Sequence, residues 1–445
     1  MLPQPEQRGR IPPIHQGIAQ NGARVFLSYS RFGGDSDVNL DTDLRRLKFT
    51  PFLGIRVSVV GWLCFTALLV TAAHQHSPRN ELPDTTADRV TGVGWWPTKS
   101  PASTKVYVGS DACVDCHSTI DSAQSESEMA KAAFRLSGGA AGQPAPGDFK
   151  SGSYTYRFIS NNALPGYSLE VSSNGQSNSY PISWTMGLGA HGQTYLLDGN
   201  GGMYESQASS FTFIHRVGLS PGHKPLEEGS VENALGIPLK SGDALRCFAC
   251  HTTASSANST LNTADAVPGV HCEACHGPGM DHVKAAIAGQ KVQARQAIFN
   301  PASLTPTSSI DFCGACHRTT MDVILNEPEP GAFTIRFQPY RLEESRCWQT
   351  TKDARLACTQ CHNPHAPMVR DAHFYDQKCL SCHSLRKDAK HVVSIGAWTV
   401  TPKICPKATA NCASCHMPKS YVPEMNSTFV DHFIRIVRPG APVPN

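Results

Sequence analysis

One short pattern occurs seven times in this sequence and limits what the chain can fold around. In each copy two cysteines are separated by two residues, and a histidine follows the second cysteine at once. Residues three apart on a helical turn lie on the same face, so each copy presents two thiols and an imidazole together. We number the copies motifs 1 to 7 in chain order: Cys113/Cys116/His117, Cys247/Cys250/His251, Cys272/Cys275/His276, Cys313/Cys316/His317, Cys358/Cys361/His362, Cys379/Cys382/His383 and Cys412/Cys415/His416.

The chemistry of the pattern indicates covalently attached haem. Two thiols add to the haem vinyl groups as thioethers, and the adjacent histidine supplies the proximal nitrogen to iron. A zinc site would need a second ligand pair at a set distance, and a redox dithiol would occur once in a βαβ setting. Disulfides would not require the histidine. We therefore predict seven c-type haems, with the fourteen motif cysteines as attachment points and the seven motif histidines as iron ligands, and no catalytic residue.

Histidines outside the motifs, and one methionine, are candidates for the sixth iron ligand. His365 follows motif 5 in Cys-His-Asn-Pro-His, where a stiff turn directs it towards a neighbouring haem, and His282 follows glycines that permit close approach. Met129 is by default core filling, yet thioether ligation raises a haem potential. We predict as distal ligands His191, His282, His365, His432 and Met129, ahead of His215, His223, His271, His373 and His391.

The N-terminal region has the order of an export signal. Residues 1–50 are expected to be a disordered extension, and residues 51–73 a signal peptide or an anchor helix. Basic residues precede an apolar run, Val57 to Ala73, that ends in Thr-Ala-Ala, which favours cleavage. A retained anchor is the alternative, because about 17 residues is the lower limit for crossing a bilayer. We predict general secretion to a periplasmic or extracellular location, with membrane anchoring if the signal is not cleaved.

The rest of the chain divides by composition into three parts. Residues 74–104 read as a linker, residues 105–225 as the first haem with a β insertion, and residues 226–445 as a six-haem domain. From 150 to about 217, aromatic and aliphatic residues alternate with polar ones between turn dipeptides such as Asn-Gly. Only 17% of residues are charged, as expected of a chain packed around large apolar macrocycles. We expect a multihaem cytochrome c fold, mainly α with extensive irregular coil around stacked haems, plus a small antiparallel β insertion.

Two further features bear on partners and on sulfur chemistry. The net charge of +3 is too small to indicate nucleic-acid binding. Cys347 and Cys405 lie outside the motifs, and in an oxidising compartment they are either a disulfide or two buried thiols.

Several segments resemble exported bacterial multihaem cytochromes. The likeness is to the group related to the tetrahaem cytochrome of nitrifying bacteria, and more closely to cytochromes in which such a haem region precedes tetratricopeptide repeats. Together the segments cover about 105–438. They are Tyr107–His117, Gly189–Leu196, Cys272–Gly279, Phe337–Cys347, Cys412–Lys419 and Asp431–Arg435.

The resemblance implies an irregular, mainly helical scaffold with haems in close pairs, which we expect at the short spacings between motifs 2 and 3 and between motifs 5 and 6. The chain departs from these relatives in two ways. Met129 stands where they often have histidine after the first motif, which puts bis-histidine ligation of haem 1 in doubt. No tetratricopeptide array occurs in the 445 residues, so this is expected to be a heptahaem form without the repeats.

Two functions follow from these expectations. The first is an electron relay through seven haems to or from redox proteins, such as a quinol oxidase, a periplasmic reductase or an extracellular acceptor. The second is an oxidoreductase acting on a small nitrogen or sulfur compound at one five-coordinate iron, which would need acid–base groups above that iron. No motif carries lysine in place of its histidine, and the relay is the favoured hypothesis. A haem filament is a third reading.

Overall fold

The computed structural model describes residues 84–445 except 137–141, 161–165, 188–190, 200, 212–213, 327–331, 352, 384–392, 396–397, 401–404, 406–409, 439, 441–442 and 444–445. The predicted extension, the signal or anchor segment, the first part of the linker and His391 lie outside the described residues. Asn80–Asn445 forms one compact unit. Within the described part of that unit, no helix combines the length and apolarity needed to cross a membrane.

An antiparallel sheet of eight strands lies between motifs 1 and 2. Its strands are β1 (Ala133–Arg135), β2 (Asp148–Ser151), β3 (Tyr154–Ser160), β4 (Tyr167–Ser173), β5 (Gln176–Met186), β6 (Thr194–Gly199), β7 (Gly202–Ser206) and, past a separate hairpin, β10 (Gly236–Pro238). That hairpin is β8 (Ala208–Phe211) with β9 (Arg216–Leu219). The sheet order is β10-β7-β6-β5-β4-β3-β2, with β1 paired to β5. The sheet is thus longer than the insertion expected for 150 to about 217.

Local sequence explains how the sheet turns and which face it buries. Asn174 and Gly175 both have positive φ and join β4 to β5, as a two-residue hairpin of the primed type requires. Tyr156 and Val171 are fully buried and are direct cross-strand neighbours. Because alternate side chains of a strand point to the same face, residues two positions away on each strand lie on this face as well. This face forms the main apolar cluster of the sheet.

A second cluster joins the sheet to motif 2. Trp184 on β5 meets Phe248 edge to face, with ring centroids 4.9 Å apart. Phe248 is fully buried and lies between the two cysteines of motif 2. The sheet therefore packs directly against the helix that contains motif 2.

Short helices carry the motifs. In chain order they are α1 (Thr86–Val90), α2 (Asp111–Ser125), α3 (Ser241–His251), α4 (Cys272–His276), α5 (Met280–Ile287), α6 (Lys291–Gln296), α7 (Pro306–His317), α8 (Thr320–Asn326), α9 (Gln338–Glu343), α10 (Arg346–Thr351), α11 (Cys358–Cys361), α12 (Ala372–Leu380) and α13 (Cys412–His416). Paired short strands link them: β11 (Thr252–Thr253), β12 (Ser256–Ala257), β13 (Thr260–Leu261), β14 (Val267–Pro268), β15 (Val393–Ile395), β16 (Trp398–Val400), β17 (Lys419–Val422) and β18 (Ser427–Val430).

Two expectations about organisation differ from the structure. The expected linker 74–104 contains α1, which packs against α3 and α7; Arg89 is buried and its Nη2 lies 2.6 Å from the Asp311 carboxylate. The expected boundary at 225/226 is crossed by the pairing of β10 with β7. Both differences come from long-range contacts that composition does not report.

Candidate haem-binding site

One continuous cavity brings the seven motifs together. All fourteen motif cysteines and all seven motif histidines line it, and its volume is about 4640 Å³. Shared equally, this is about 660 Å³ per motif, within the range of about 300–1,000 Å³ that is typical of cofactor pockets. Across the described residues, no three His, Cys, Asp or Glu side chains cluster so as to hold a bare metal ion. The motifs and their common cavity fit a large macrocycle at each motif.

The helices arrange each motif as the attachment chemistry requires. Motifs 3 and 7 occupy the whole of α4 and α13, and motifs 2 and 4 occupy the last turns of α3 and α7. In α11 the two cysteines of motif 5 are helical and His362 is the C-cap residue. Since i and i+3 side chains share a face, the thiols of these helical motifs point the same way, whereas α12 ends at Leu380, before Cys382 of motif 6.

The motifs contact one another in a definite order that differs from their order in the sequence. Thiols of different motifs lie close together in four pairs: Cys113 with Cys272, Cys250 with Cys316, Cys313 with Cys358, and Cys379 with Cys412. These contacts join motifs 1 and 3, 2 and 4, 4 and 5, and 6 and 7. Helices α11 and α12 also touch, so motifs 5 and 6 are neighbours as expected. The expected pair of motifs 2 and 3 is not among the cysteine contacts of the described residues.

Two pairs of imidazoles have the separation of axial ligands on one iron. The ring centroids of His276 and His365 are 6.0 Å apart with planes inclined by 13°, and those of His362 and His432 are 6.1 Å apart. An imidazole nitrogen binds a first-row metal at about 2.0–2.1 Å, so two axial imidazoles place their ring centres about 6 Å apart. The structure thus places two of the predicted distal ligands opposite the proximal histidines of motifs 3 and 5.

In five histidines of the cavity lining, a hydrogen bond determines which ring nitrogen is free to bind iron. A carbonyl oxygen only accepts, so an Nδ1 that is bonded to one carries the proton and leaves the Nε2 lone pair for a metal. Five imidazoles donate in this way at 2.8–3.0 Å, three of them motif histidines and two of them predicted distal ligands. The pairs are His251 with Ala132, His276 with Phe299, His416 with Arg435, His282 with Ala294, and His432 with Val430.

Burial favours the neutral, ligating form of several imidazoles. Loss of solvation lowers the pKa of His251 and of His362. For His432, burial is again the largest cause, and it lowers the pKa to about 4. Metal binding requires deprotonated imidazole, and a lowered pKa keeps these rings in that neutral form at neutral pH.

The other candidates for a distal iron ligand differ in whether they line the cavity. His191 and Met129 line the cavity; the His191 ring stacks on Phe429 at 4.4 Å, with Nδ1 2.7 Å from the Ser427 hydroxyl. His271 also lines the cavity, but its Nε2 donates to the Pro268 carbonyl at 2.8 Å. Of the remaining candidates that the structure describes, three do not line the cavity: His215, His223 and His373.

Met129 is held by backbone contacts in the turns that follow helix α2. Helix α2 ends at Ser125, and Met129 follows in a series of turns. The Ser127 hydroxyl accepts the Ala130 N–H at 3.1 Å, and the Met129 carbonyl accepts the Val270 N–H at 2.9 Å. This long-range bond holds Met129 beside the start of motif 3.

Two buried carboxylates, which the sequence reasoning missed, tie motifs together. Glu273 of motif 3 is 4% exposed and accepts N–H bonds from Val108 and Gly109, which precede motif 1, and from Gly279. Asp376 on α12 accepts the N–H groups of Asn411 and Cys412 at the start of α13. The sequence signal for these two carboxylates was their position, since Glu273 lies inside motif 3 and Asp376 lies just before motif 6.

Arginines on the cavity lining are candidates for pairing with the acidic groups of haem, and five of the eight already have a carboxylate partner in the protein. Guanidinium groups pair with carboxylates in a planar, two-bond geometry, and haem carries carboxylate side chains. Eight arginines of the described residues line the cavity: Arg246, Arg295, Arg318, Arg336, Arg346, Arg355, Arg370 and Arg435.

Two of the three cysteines outside the motifs, Cys347 and Cys405, also line the cavity, beside the motif thiols. Cys347 carries a free thiol, and burial raises its pKa.

Comparison with known families finds a match over one part of the chain. The model of the family cytochrome c554 and c-prime matches residues 224–277, which contain motifs 2 and 3. The match supports a multihaem c-type cytochrome with covalently bound haem c and an electron-transfer role. No curated protein and no solved structure gave a match.

Proposed function

We propose that this chain is a periplasmic or extracellular electron-transfer protein that relays electrons through seven covalently bound c-type haems. The observation that carries the proposal is the opposition of His365 to His276 and of His432 to His362 within the cavity shared by all seven motifs. Iron closed on both faces by imidazole exchanges electrons without binding substrate. Export through residues 51–73 would place the chain where redox proteins donate to it or accept from it.

The contacts between motifs support the relay. Motif 4 meets motifs 2 and 5 through its cysteines, and Cys275 of motif 3 lies within electrostatic range of Cys313 and Cys316. Motif 4 is thus in contact with several others, motif 3 also faces the residues after motif 5 through His365, and motifs 6 and 7 follow from motif 5.

A reductive titration of the haem-loaded protein tests the relay. We expect uptake of seven electrons per chain, and oxidised protein whose iron is mostly low-spin by low-temperature electron paramagnetic resonance. Fewer electrons than motifs, or iron that is high-spin throughout, would contradict the proposal. A Cys313→Ser/Cys316→Ser variant, which removes one attachment site, should take up six electrons.

A second candidate function has one observation in its favour. Within the described residues, five predicted distal ligands line a cavity that holds seven motifs. Because these distal ligands are fewer than the motifs, one or two haems would keep an open iron face. An oxidoreductase of small nitrogen or sulfur compounds would need such a face. A high-spin signal together with turnover of hydroxylamine, nitrite or sulfite would favour the enzyme. Wholly low-spin iron without turnover would leave the relay.

A further inference from the structure

A buried ion cluster closes on the segment that supplies His432. The Asp431 and Arg341 side chains are fully buried, and Arg341 on α9 donates to the two Asp431 oxygens from Nε and Nη2, each at 2.9 Å. Arg435 donates to the same carboxylate at 2.6 Å. We call Arg341, Asp431 and Arg435 the clasp. One carboxylate thus holds both ends of a five-residue segment, 431–435, against α9.

The segment within the clasp serves two different motifs. His432 faces His362 of motif 5 at 6.1 Å between ring centroids. The Arg435 carbonyl accepts the Nδ1–H of His416, the proximal histidine of motif 7, at 2.8 Å. The distal side of one iron and the proximal side of another are therefore oriented by the same stretch of backbone.

Ser345 makes two hydrogen bonds to the middle of the segment. The hydroxyl of Ser345, which is also fully buried, donates to the His432 carbonyl at 3.1 Å and accepts the Ile434 N–H at 2.8 Å. Arg341 and Ser345 lie on or just after α9, which packs on α7, the helix of motif 4. The segment is thus held by the helical scaffold rather than by the haems alone.

We propose that the clasp is a positioning device that sets the axial ligation of motifs 5 and 7 together. This inference rests on the proposed function, since it requires haem at both motifs. A buried guanidinium–carboxylate pair with two parallel bonds fixes orientation as well as distance. Outer-shell partners of a metal-bound histidine fix its ring orientation and basicity. Loosening Asp431 should therefore change two haems of the seven and leave the other five as they are.

The test is an Asp431→Asn variant of the full haem-loaded chain, read by low-temperature electron paramagnetic resonance and by redox titration. We expect a new high-spin signal of up to one spin per chain, coinciding with that of a His432→Ala variant. We also expect a shift in the one low-spin signal that a Cys412→Ser/Cys415→Ser variant lacks. Asp148→Asn is the matched control: it breaks an exposed pair with Arg157 on the sheet, and it should leave all seven signals unchanged.

The outcomes separate this inference from the proposed function. Seven unchanged signals in folded, loaded Asp431→Asn protein would overturn the inference, and so would changes spread over all seven haems. If Asp431→Asn does not fold, a Ser345→Ala variant decides, and it should move the same two signals. If peptide mapping finds no haem at motif 5 or 7 in the unaltered protein, the proposed function fails instead.

Discussion

Replacing Glu273 by glutamine tests whether buried carboxylates hold the motifs together. Glu273 Oε1 accepts from Val108 at 2.9 Å and from Gly279 at 2.7 Å, and Oε2 accepts from Gly109 at 2.8 Å. Glutamine keeps the shape but turns one of these oxygens into a donor. If it keeps the oxygen at the Oε1 position, its amide group then faces the Gly109 N–H.

The size of the effect follows from these contacts. A buried donor that loses its acceptor costs about 1–3 kcal/mol. The remaining bonds lose their charge assistance, and with it roughly half of their strength. Together we expect the free energy of unfolding to fall by about 2–4 kcal/mol for Glu273→Gln, a large part of the typical total of about 5–15 kcal/mol.

Urea unfolding of the haem-loaded chain, followed by circular dichroism, measures this loss. With a slope of about 3 kcal/mol/M, the midpoint should fall by about 1 M. Glu126→Gln is the control, because Glu126 is exposed and pairs only with Lys131, and its midpoint should equal that of the unaltered protein. An unchanged midpoint for Glu273→Gln would show that the three backbone N–H groups do not depend on this carboxylate.

Three further variants test individual ligands and contacts. Met129→His should lower the potential of one haem, because imidazole replaces a thioether; a redox titration that matches the unaltered protein would remove Met129 as a ligand. His365→Ala should convert the iron of motif 3 to high spin, whereas His373→Ala, outside the cavity lining, should leave the resonance spectrum as it was. Phe429→Ala removes the ring that stacks on His191 and should shift at most one low-spin signal; shifts in several would contradict a local role.

The sequence was most informative where chemistry is local. The motif pattern identified the groups that line the cavity, and Asn174-Gly175 marked a turn that both residues confirm by their positive φ. His365 could be directed towards a neighbouring motif because the intervening Asn-Pro leaves the chain few conformations. For His191, His282 and His432, proximity in sequence says nothing about which iron they face.

The parts that could not be predicted depend on long-range contacts. The meeting of motifs 1 and 3 follows from the bonds of Glu273 to Val108 and Gly109, which are more than 160 residues away. The helix in the expected linker did have a local signal, the capping box of Thr85 and Asp88, which is a recognisable helix start. The clasp had none, since nothing in the sequence around Asp431 indicates that Arg341 will be its partner.

The count of attached haems tests the central claim most directly. Thioether bonds survive unfolding, so the intact mass of the denatured, exported chain reports how many motifs are loaded. The account predicts one species carrying the mass of seven haems, with each of the seven motif peptides modified. A mass with fewer haems, or haem that is released by denaturation, would contradict it.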